Sequence, residues 1–220
     1  YFPRQDITVL MMAGIDEDGP VKESNSYNNP GEADMVSLII FDHTDEEIDI
    51  ISLNRDTMLT MPVLGLNGRE AGTYYGQLAL AHTYGKGLED SCINLRKTVS
   101  TFLYGLKIDY YVSMNMDAIG ILNDAVGGVT VNVTDDFSTI DPDITMGTVT
   151  LRGKQAMTFV RTRQGVGDGM NITRMERQKE YMRGFLTALD AAREAQPDLV
   201  IDAYQQVAPY MVTDCTATTI

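Results

Sequence analysis

A chain of 220 residues with 17 Lys and Arg against 31 Asp and Glu carries a formal net charge of -14, a field that repels polyphosphate and excludes a general nucleic-acid binder. Hydrophobic residues at 44% and charged residues at 22% are ordinary globular usage, which excludes a disordered or fibrous chain and leaves a folded body with its own core. No apolar run approaches the roughly 18 residues of a membrane helix, and Tyr1-Phe2-Pro3-Arg4 does not look like a signal peptide.

In chain order, β-branched and aromatic runs bordered by turn residues predict strands over residues 7–13, 35–41, 48–53, 108–114 and 129–133. Apolar spacing predicts helices over 76–84, 88–103, 116–126, 153–162, 172–194 and 198–210. The mixed order indicates an α/β layered domain, and residues 35–41 are apolar enough for a strand covered on both faces. Residues 19–32 and 64–76 read as surface loops by composition. No domain boundary is placed. The first strand starts almost at once, and Val212-Thr213-Asp214-Cys215-Thr216 reads as the opening of a helix whose remainder is missing, so a fragment of a longer chain is expected.

Cys92 and Cys215 are the only cysteines; without a CxxC pair or a histidine at ligand spacing they make no metal site. They are either two buried free thiols or one disulfide tying back the C-terminal segment, which would require an oxidising compartment. The two histidines exclude a histidine-rich metal site, with His43 read as a turn residue and His82 as a packing residue. No GxSxG elbow and no GxxxxGK[ST] loop occurs.

Chemistry concentrates in two places. The polar segment His43-Thr44-Asp45-Glu46-Glu47 is short enough to join adjacent antiparallel strands. Asp34 and Asp56 each lie 11 residues from Asp45, so folding there brings both carboxylates to one open end with Arg55 beside them. Two carboxylates completed by water and phosphate suit Mg²⁺, and a guanidinium suits a phosphate fork. The plainer reading is a loop-capping Asp and an Arg–Asp surface pair. The second place is a basic island: Arg152, Lys154, Arg161, Arg163, Arg174, Arg177, Lys179 and Arg183 against Asp168, Glu176 and Glu180. So much positive charge calls for a neighbouring carboxylate or an anionic ligand. Arg174, Arg177 and Gln178 share one helix face, and Asn171 sits where an N-cap would. Arg174 in a first turn opposes the helix dipole, which hints at an oxyanion. The run Gly165-Val166-Gly167-Asp168-Gly169 can turn tightly into that helix. Tyr181, Phe185 and Leu189 continue the face as core packing, or as the wall of an apolar tunnel beside a polar head.

Taken together, DMVSLIIFD, IISLNRDTM, LALAHTYGKG, LKIDYYVSMN, AVGGVTVNV, LRGKQAMTFVRTR and NITRMERQ, from about Asp6 to Arg183, closely resemble the LytR-CpsA-Psr family. The resemblance implies a single catalytic domain over residues 1–220, a three-layer α-β-α sandwich around a mixed central β-sheet. It also implies a place outside the cell, at the face of the cytoplasmic membrane, on one N-terminal membrane helix. The implied activity is Mg²⁺-dependent transfer of a teichoic-acid-like or capsular glycopolymer from a polyprenyl-pyrophosphate carrier to a peptidoglycan hydroxyl, with no nucleic-acid partner.

By the same resemblance Asp34 and Asp56 hold the metal. Arg55, Arg161, Arg163, Arg174, Arg177 and Gln178 match its pyrophosphate-binding set. The mechanism expected on that basis takes Arg55, Asp56, Arg163 and Asp168 as the catalytic set, with Asp56 or Asp168 as general base. The polyprenyl tail is expected in an apolar channel with Phe185 and Met-rich segments. Three departures stand out: Glu32 where many members have Arg, Gln77 or Leu78 where a Lys precedes the helix, and Asn171 for a usual Asp. The alternatives are a polyprenyl-pyrophosphate hydrolase and a non-catalytic lipid-phosphate binding module. Regulation of transcription, suggested by part of the family's name, is opposed by the acidic charge and the lack of a DNA-binding motif.

Overall fold

A computed structural model describes residues 6–65 and 67–216, so Tyr1-Phe2-Pro3-Arg4 and Leu66 of the expected 64–76 loop lie outside the described residues. The chain divides into two compact units, Tyr1–Asn115 with Tyr210–Ile220, and Met116–Pro209. The fold is α/β with a mixed central sheet, the class the sequence indicates.

The first unit contains β1 (Ile7–Ile15), β2 (Ala33–Asp42), β3 (Glu47–Leu53), β4 (Met58–Leu64), β5 (Glu70–Gln77), a 3-10 helix (Leu78–His82), α1 (Glu89–Phe102), β6 (Tyr110–Asn115) and β9 (Met211–Thr213). Five strands form one sheet in the order β3-β2-β1-β6-β9, with β1 antiparallel to β2 and parallel to β6. Alternation along β1 sends Val9, Met11, Ala13 and Ile15 to one face, where they join Val36, Leu38, Cys92, Leu95 and Val99. The α1 members of that cluster recur at helical spacing, and Glu89 and Asp90 in its first turn complement the helix dipole. Each fully buried side chain of this size stabilises the fold by roughly 1.5–3 kcal/mol.

Several expectations are corrected. Residues 64–76 are not a plain loop: β4 and β5 pair antiparallel from Met58–Gln77 to Leu64–Glu70. Glu70–Tyr75 is exposed throughout, so this ribbon lacks the apolar alternation by which a strand is recognised. The helix expected at 76–84 contracts to the 3-10 helix, because the preceding residues are still in β5. The segment 212–216 does not open a helix. Val212 and Thr213 are β-branched and pair with Ser113 and Val112, and Asp214 accepts the Tyr111 N–H at 2.7 Å and pairs with Arg96 at 2.7 Å.

The 19–32 loop is on the surface but pinned from within. The Asn29 side-chain amide donates to the carbonyls of His82, Thr83 and Gly85 and lies 3.1 Å from Ser91 Oγ, while its oxygen accepts the Gly31 N–H. His43 is in the β2–β3 turn and His82 is packed inside, as expected. Burial pushes the His82 pKa down. Its Nδ1 lies 2.8 Å from the Gly31 carbonyl, so the neutral ring is protonated at Nδ1. Cys92 and Cys215 are both free thiols, and of the two only Cys92 is buried, its thiol pushed up by burial to about 12. A thiol-specific alkylating reagent at pH 8 is therefore expected to label Cys215 alone in the native protein and both cysteines after denaturation, read by mass spectrometry. Rapid native labelling of Cys92 would contradict the packing described.

The second unit contains α2 (Asp117–Ala125), β7 (Val129–Val133), β8 (Gly147–Leu151), α3 (Lys154–Arg161), α4 (Asn171–Ala195) and α5 (Leu199–Val207). The expected helix at 198–210 ends at Val207 and continues as a 3-10 turn, Ala208–Tyr210, containing Pro209. The β7–β8 hairpin packs its Val129, Val131, Val133 and Leu151 with Phe137, Phe159 and Tyr181. Phe185 and Leu189 also pack against this cluster, so the stripe along α4 serves the core. A Cβ at Gly184 would stand 2.5 Å from the Thr130 carbonyl; its absence lets α4 lie close on β7. Among the described residues no helix is long and apolar enough to cross a membrane.

Candidate functional site

The first cluster lies at the open end of the β2–β3 hairpin. The pairs run from Asp42–Glu47 to Val36–Leu53, and two further steps set Asp34 opposite Arg55. Counting from Asp45 sets Asp34 opposite Asp56, one residue off. A turn follows β3: Thr57 N–H donates to the Asn54 carbonyl, and Asp56 N–H to Asn54 Oδ1. The turn is fastened to the 3-10 helix by Leu78 N–H to the Thr57 carbonyl and Ala79 N–H to the Arg55 carbonyl.

Arg55 is at the centre of this cluster. Its Nη1 pairs with Asp34, its Nη2 donates to Glu32 Oε2, and its Nε lies 3.6 Å from Asp56 Oδ1. Gln77 Nε2 reaches Asp56 Oδ1 at 3.2 Å, which identifies Gln77 rather than Leu78 as the residue facing the site. Asp34 is 9% exposed, Arg55 15%, and Glu32 and Asp56 each 39%. Three carboxylates around one guanidinium leave a surplus of two negative charges. Hard oxygen donors with that surplus fit a small divalent cation such as Mg²⁺. No set of three or more His, Cys, Asp or Glu side chains arranged to hold a metal occurs among the described residues, so a cation on Asp34 and Asp56 would complete its shell from water and substrate oxygens.

The second cluster lies where α3 ends and α4 begins. Arg161 is the last residue of α3, Thr162 is extended, and Arg163 is exposed. Gly165, Gly167 and Gly169 all have positive φ while Val166 between them is buried. At Gly167 a Cβ would also stand 2.9 Å from Asp135. The loop signal in the sequence is thus a backbone requirement.

Asn171 is the first residue of α4 rather than its N-cap, and its Oδ1 accepts from Arg174 Nη2 at 2.8 Å. The loop side chain that binds the helix start is Asp168, whose Oδ1 accepts the Met170 N–H and the Thr173 hydroxyl. The Thr173 hydroxyl and the Met170 amide hold the Asp168 carboxyl below the usual carboxylate range, which makes it a weaker base. Asp168→Asn keeps the acceptor oxygen but cannot take a proton. It is expected to leave turnover and the pH–rate profile unchanged, and a lost alkaline plateau would restore Asp168 as the base.

Arg174 is buried in the first turn of α4, as expected. Arg177 is 6% exposed. Its Nη1 donates to the Phe159 carbonyl at 3.1 Å and its Nη2 to the Thr162 carbonyl at 2.5 Å. Gln178 donates to the Val160 carbonyl at 3.2 Å. These residues, expected to hold phosphate, here satisfy the carbonyls at the end of α3. Arg177 also lies over the Phe137 ring and 3.5 Å from Asp135, and burial lowers its pKa. Asp135 is thus one neighbouring carboxylate that answers the basic island. No sequence signal singles it out.

A model described as the LytR_cpsA_psr family matches residues 3–220. The chain is 30% identical over 185 residues to the polyisoprenyl-teichoic acid–peptidoglycan teichoic acid transferase TagU of Oceanobacillus iheyensis, covering 83% of this chain and 51% of the relative. It thus spans about half the length of the curated relatives it matches. Among solved structures, the gbs0355 protein of Streptococcus agalactiae superposes with TM-score 0.76 at 22% identity, covering 98% of this chain and 71% of that one. TagT bound to LI-WTA superposes with TM-score 0.67 at 22% identity, covering 99% and 73%; both likenesses are of fold. The matched family accounts for all seven sequence blocks, and the chain belongs to the LytR-CpsA-Psr family.

Proposed function

We infer that this chain carries a glycopolymer transferase domain, moving a teichoic-acid-like or capsular polymer from a polyprenyl-pyrophosphate carrier to a peptidoglycan hydroxyl at the cell envelope. An N-terminal helix would anchor it to the outer face of the cytoplasmic membrane. The observation that carries the reading is the guanidinium of Arg55 set among carboxylates at the hairpin end, in a chain whose relative is named for this transfer. The solved relative with bound LI-WTA adds support.

In the reaction the acceptor hydroxyl oxygen bonds to the sugar-side phosphorus, the bridging P–O bond to the lipid phosphate breaks, and the hydroxyl proton passes to a carboxylate. Arg55 offers fork-like donors to oxygens on which charge grows. Within the second unit, Arg161, Arg163 and Arg174 are by themselves candidates for binding an oxyanion. Arg177 and Gln178 hold the end of α3, so Arg161 and Arg163 leave it in a fixed direction. Asp56 and Asp168 are the candidate acceptors of that proton, and its capping bonds lower the basicity of Asp168. Asp34 and Asp56 would hold Mg²⁺, which supplies charge neutralisation at the pyrophosphate.

The test is an assay of labelled lipid-linked glycan with and without peptidoglycan. Label moving into peptidoglycan supports transfer. Release that does not respond to the acceptor makes the chain a hydrolase, and binding without turnover makes it a lipid-phosphate binding module.

A further inference from the structure

The three nitrogens of Arg55 each face a different carboxylate: Nη2 that of Glu32, Nη1 that of Asp34 and Nε that of Asp56. A phosphate oxygen that is to use this guanidinium in fork geometry must displace one of them. The three are not equally held. Asp34 is nearly buried at the start of β2. Asp56 is fastened by its turn and by Gln77. Glu32 precedes β2, its backbone carbonyl is tied to the Asp16 N–H, and its longer, 39% exposed side chain meets Arg55. Rotation about its own side-chain bonds would release Nη2 without moving the sheet.

Resting on the pyrophosphate reading above, we propose that Glu32 is an internal stand-in for a substrate phosphate: its carboxylate occupies Nη2 of Arg55 in the free protein and yields that position to the incoming diphosphate. Glu32 thereby sets the affinity for the lipid pyrophosphate. The ligand must be anionic enough to outcompete a tethered carboxylate, which selects diphosphates over singly charged esters.

The experiment compares wild type, Glu32→Gln and Glu17→Gln by calorimetric titration with inorganic pyrophosphate and with geranyl pyrophosphate, each with and without Mg²⁺. Glu17 is the local control, its side chain passing close to Gly31 beside Glu32. Glu32 at 39% exposure leaves its pairing with Arg55 partly screened by solvent, so Glu32→Gln is expected to tighten pyrophosphate binding on the order of fivefold, with Glu17→Gln changing it by less than about twofold. With the lipid substrate the gain appears in KM. Unchanged or weaker binding by Glu32→Gln overturns the proposal, as does equal tightening by Glu17→Gln, which would reduce the effect to bulk charge. Weakened binding of Mg²⁺ alone by Glu32→Gln also overturns it, making Glu32 a cation ligand. A wild type that binds neither pyrophosphate removes the functional reading itself, a result separate from one in which wild type binds and Glu32→Gln is no tighter.

Discussion

Arg55→Ala is expected to lower glycopolymer transfer by about 10²–10³-fold, the usual consequence of removing one donor aimed at charge that develops during reaction. Arg55→Lys is expected to recover little of it. An ammonium is a compact point charge, whereas Glu32, Asp34 and Asp56 are addressed by three separate nitrogens of a planar group. Steady-state transfer of labelled lipid-linked glycan reads both variants, with circular dichroism to confirm that they fold. Near wild-type transfer by Arg55→Lys would mean that the fork geometry is not used. The substitution also takes the guanidinium from Asp34, which is nearly buried, so a lower melting temperature is expected alongside the lost rate.

Arg177→Met gives the largest expected effect on stability. It keeps an apolar side chain of similar length but takes the guanidinium from over the Phe137 ring, both donors from the Phe159 and Thr162 carbonyls, and the Arg177 charge from beside Asp135. Stripping one partner from a buried charged pair costs about 3–5 kcal/mol, a large share of the roughly 5–15 kcal/mol that holds a domain together. The urea midpoint should fall accordingly, with amide exchange rising first in α3. Arg163→Ala provides the contrast: the side chain is exposed, so stability should shift by no more than about 0.5 kcal/mol while transfer falls. If Arg177→Met left the midpoint in place and removed only activity, Arg177 would be a phosphate ligand after all.

The parts legible in the sequence are those where one local rule dominates. The central hairpin showed itself because β2 is apolar along nearly its whole length and the polar turn 43–47 is short. Two-residue periodicity then brings Asp34, Arg55 and Asp56 together by counting alone. The α4 helix was legible from its 3.6-residue face. The β4–β5 ribbon was not, since six of the eight residues of β5 are exposed and carry no alternation, and a strand as short as β9 is decided by the edge it meets. The role of Arg177 was hidden for a different reason. In sequence it continues a row of arginines, and only the path of α3 shows that its donors meet main-chain oxygens. Glu32 was visible as a departure from the family, but its partner was not.

In chain order, the last strand of the central sheet follows a whole compact unit. β6 ends at Asn115, and the strand that pairs with its outer edge begins at Met211. At ribosomal speeds of about 5–20 residues per second, that edge emerges roughly 5–20 s before its partner, with the Tyr111 N–H still waiting for Asp214. An open strand edge is a template for the wrong neighbour. A nascent chain stalled within residues 116–209 should therefore be more prone to aggregate, and more dependent on chaperones, than one released after residue 216.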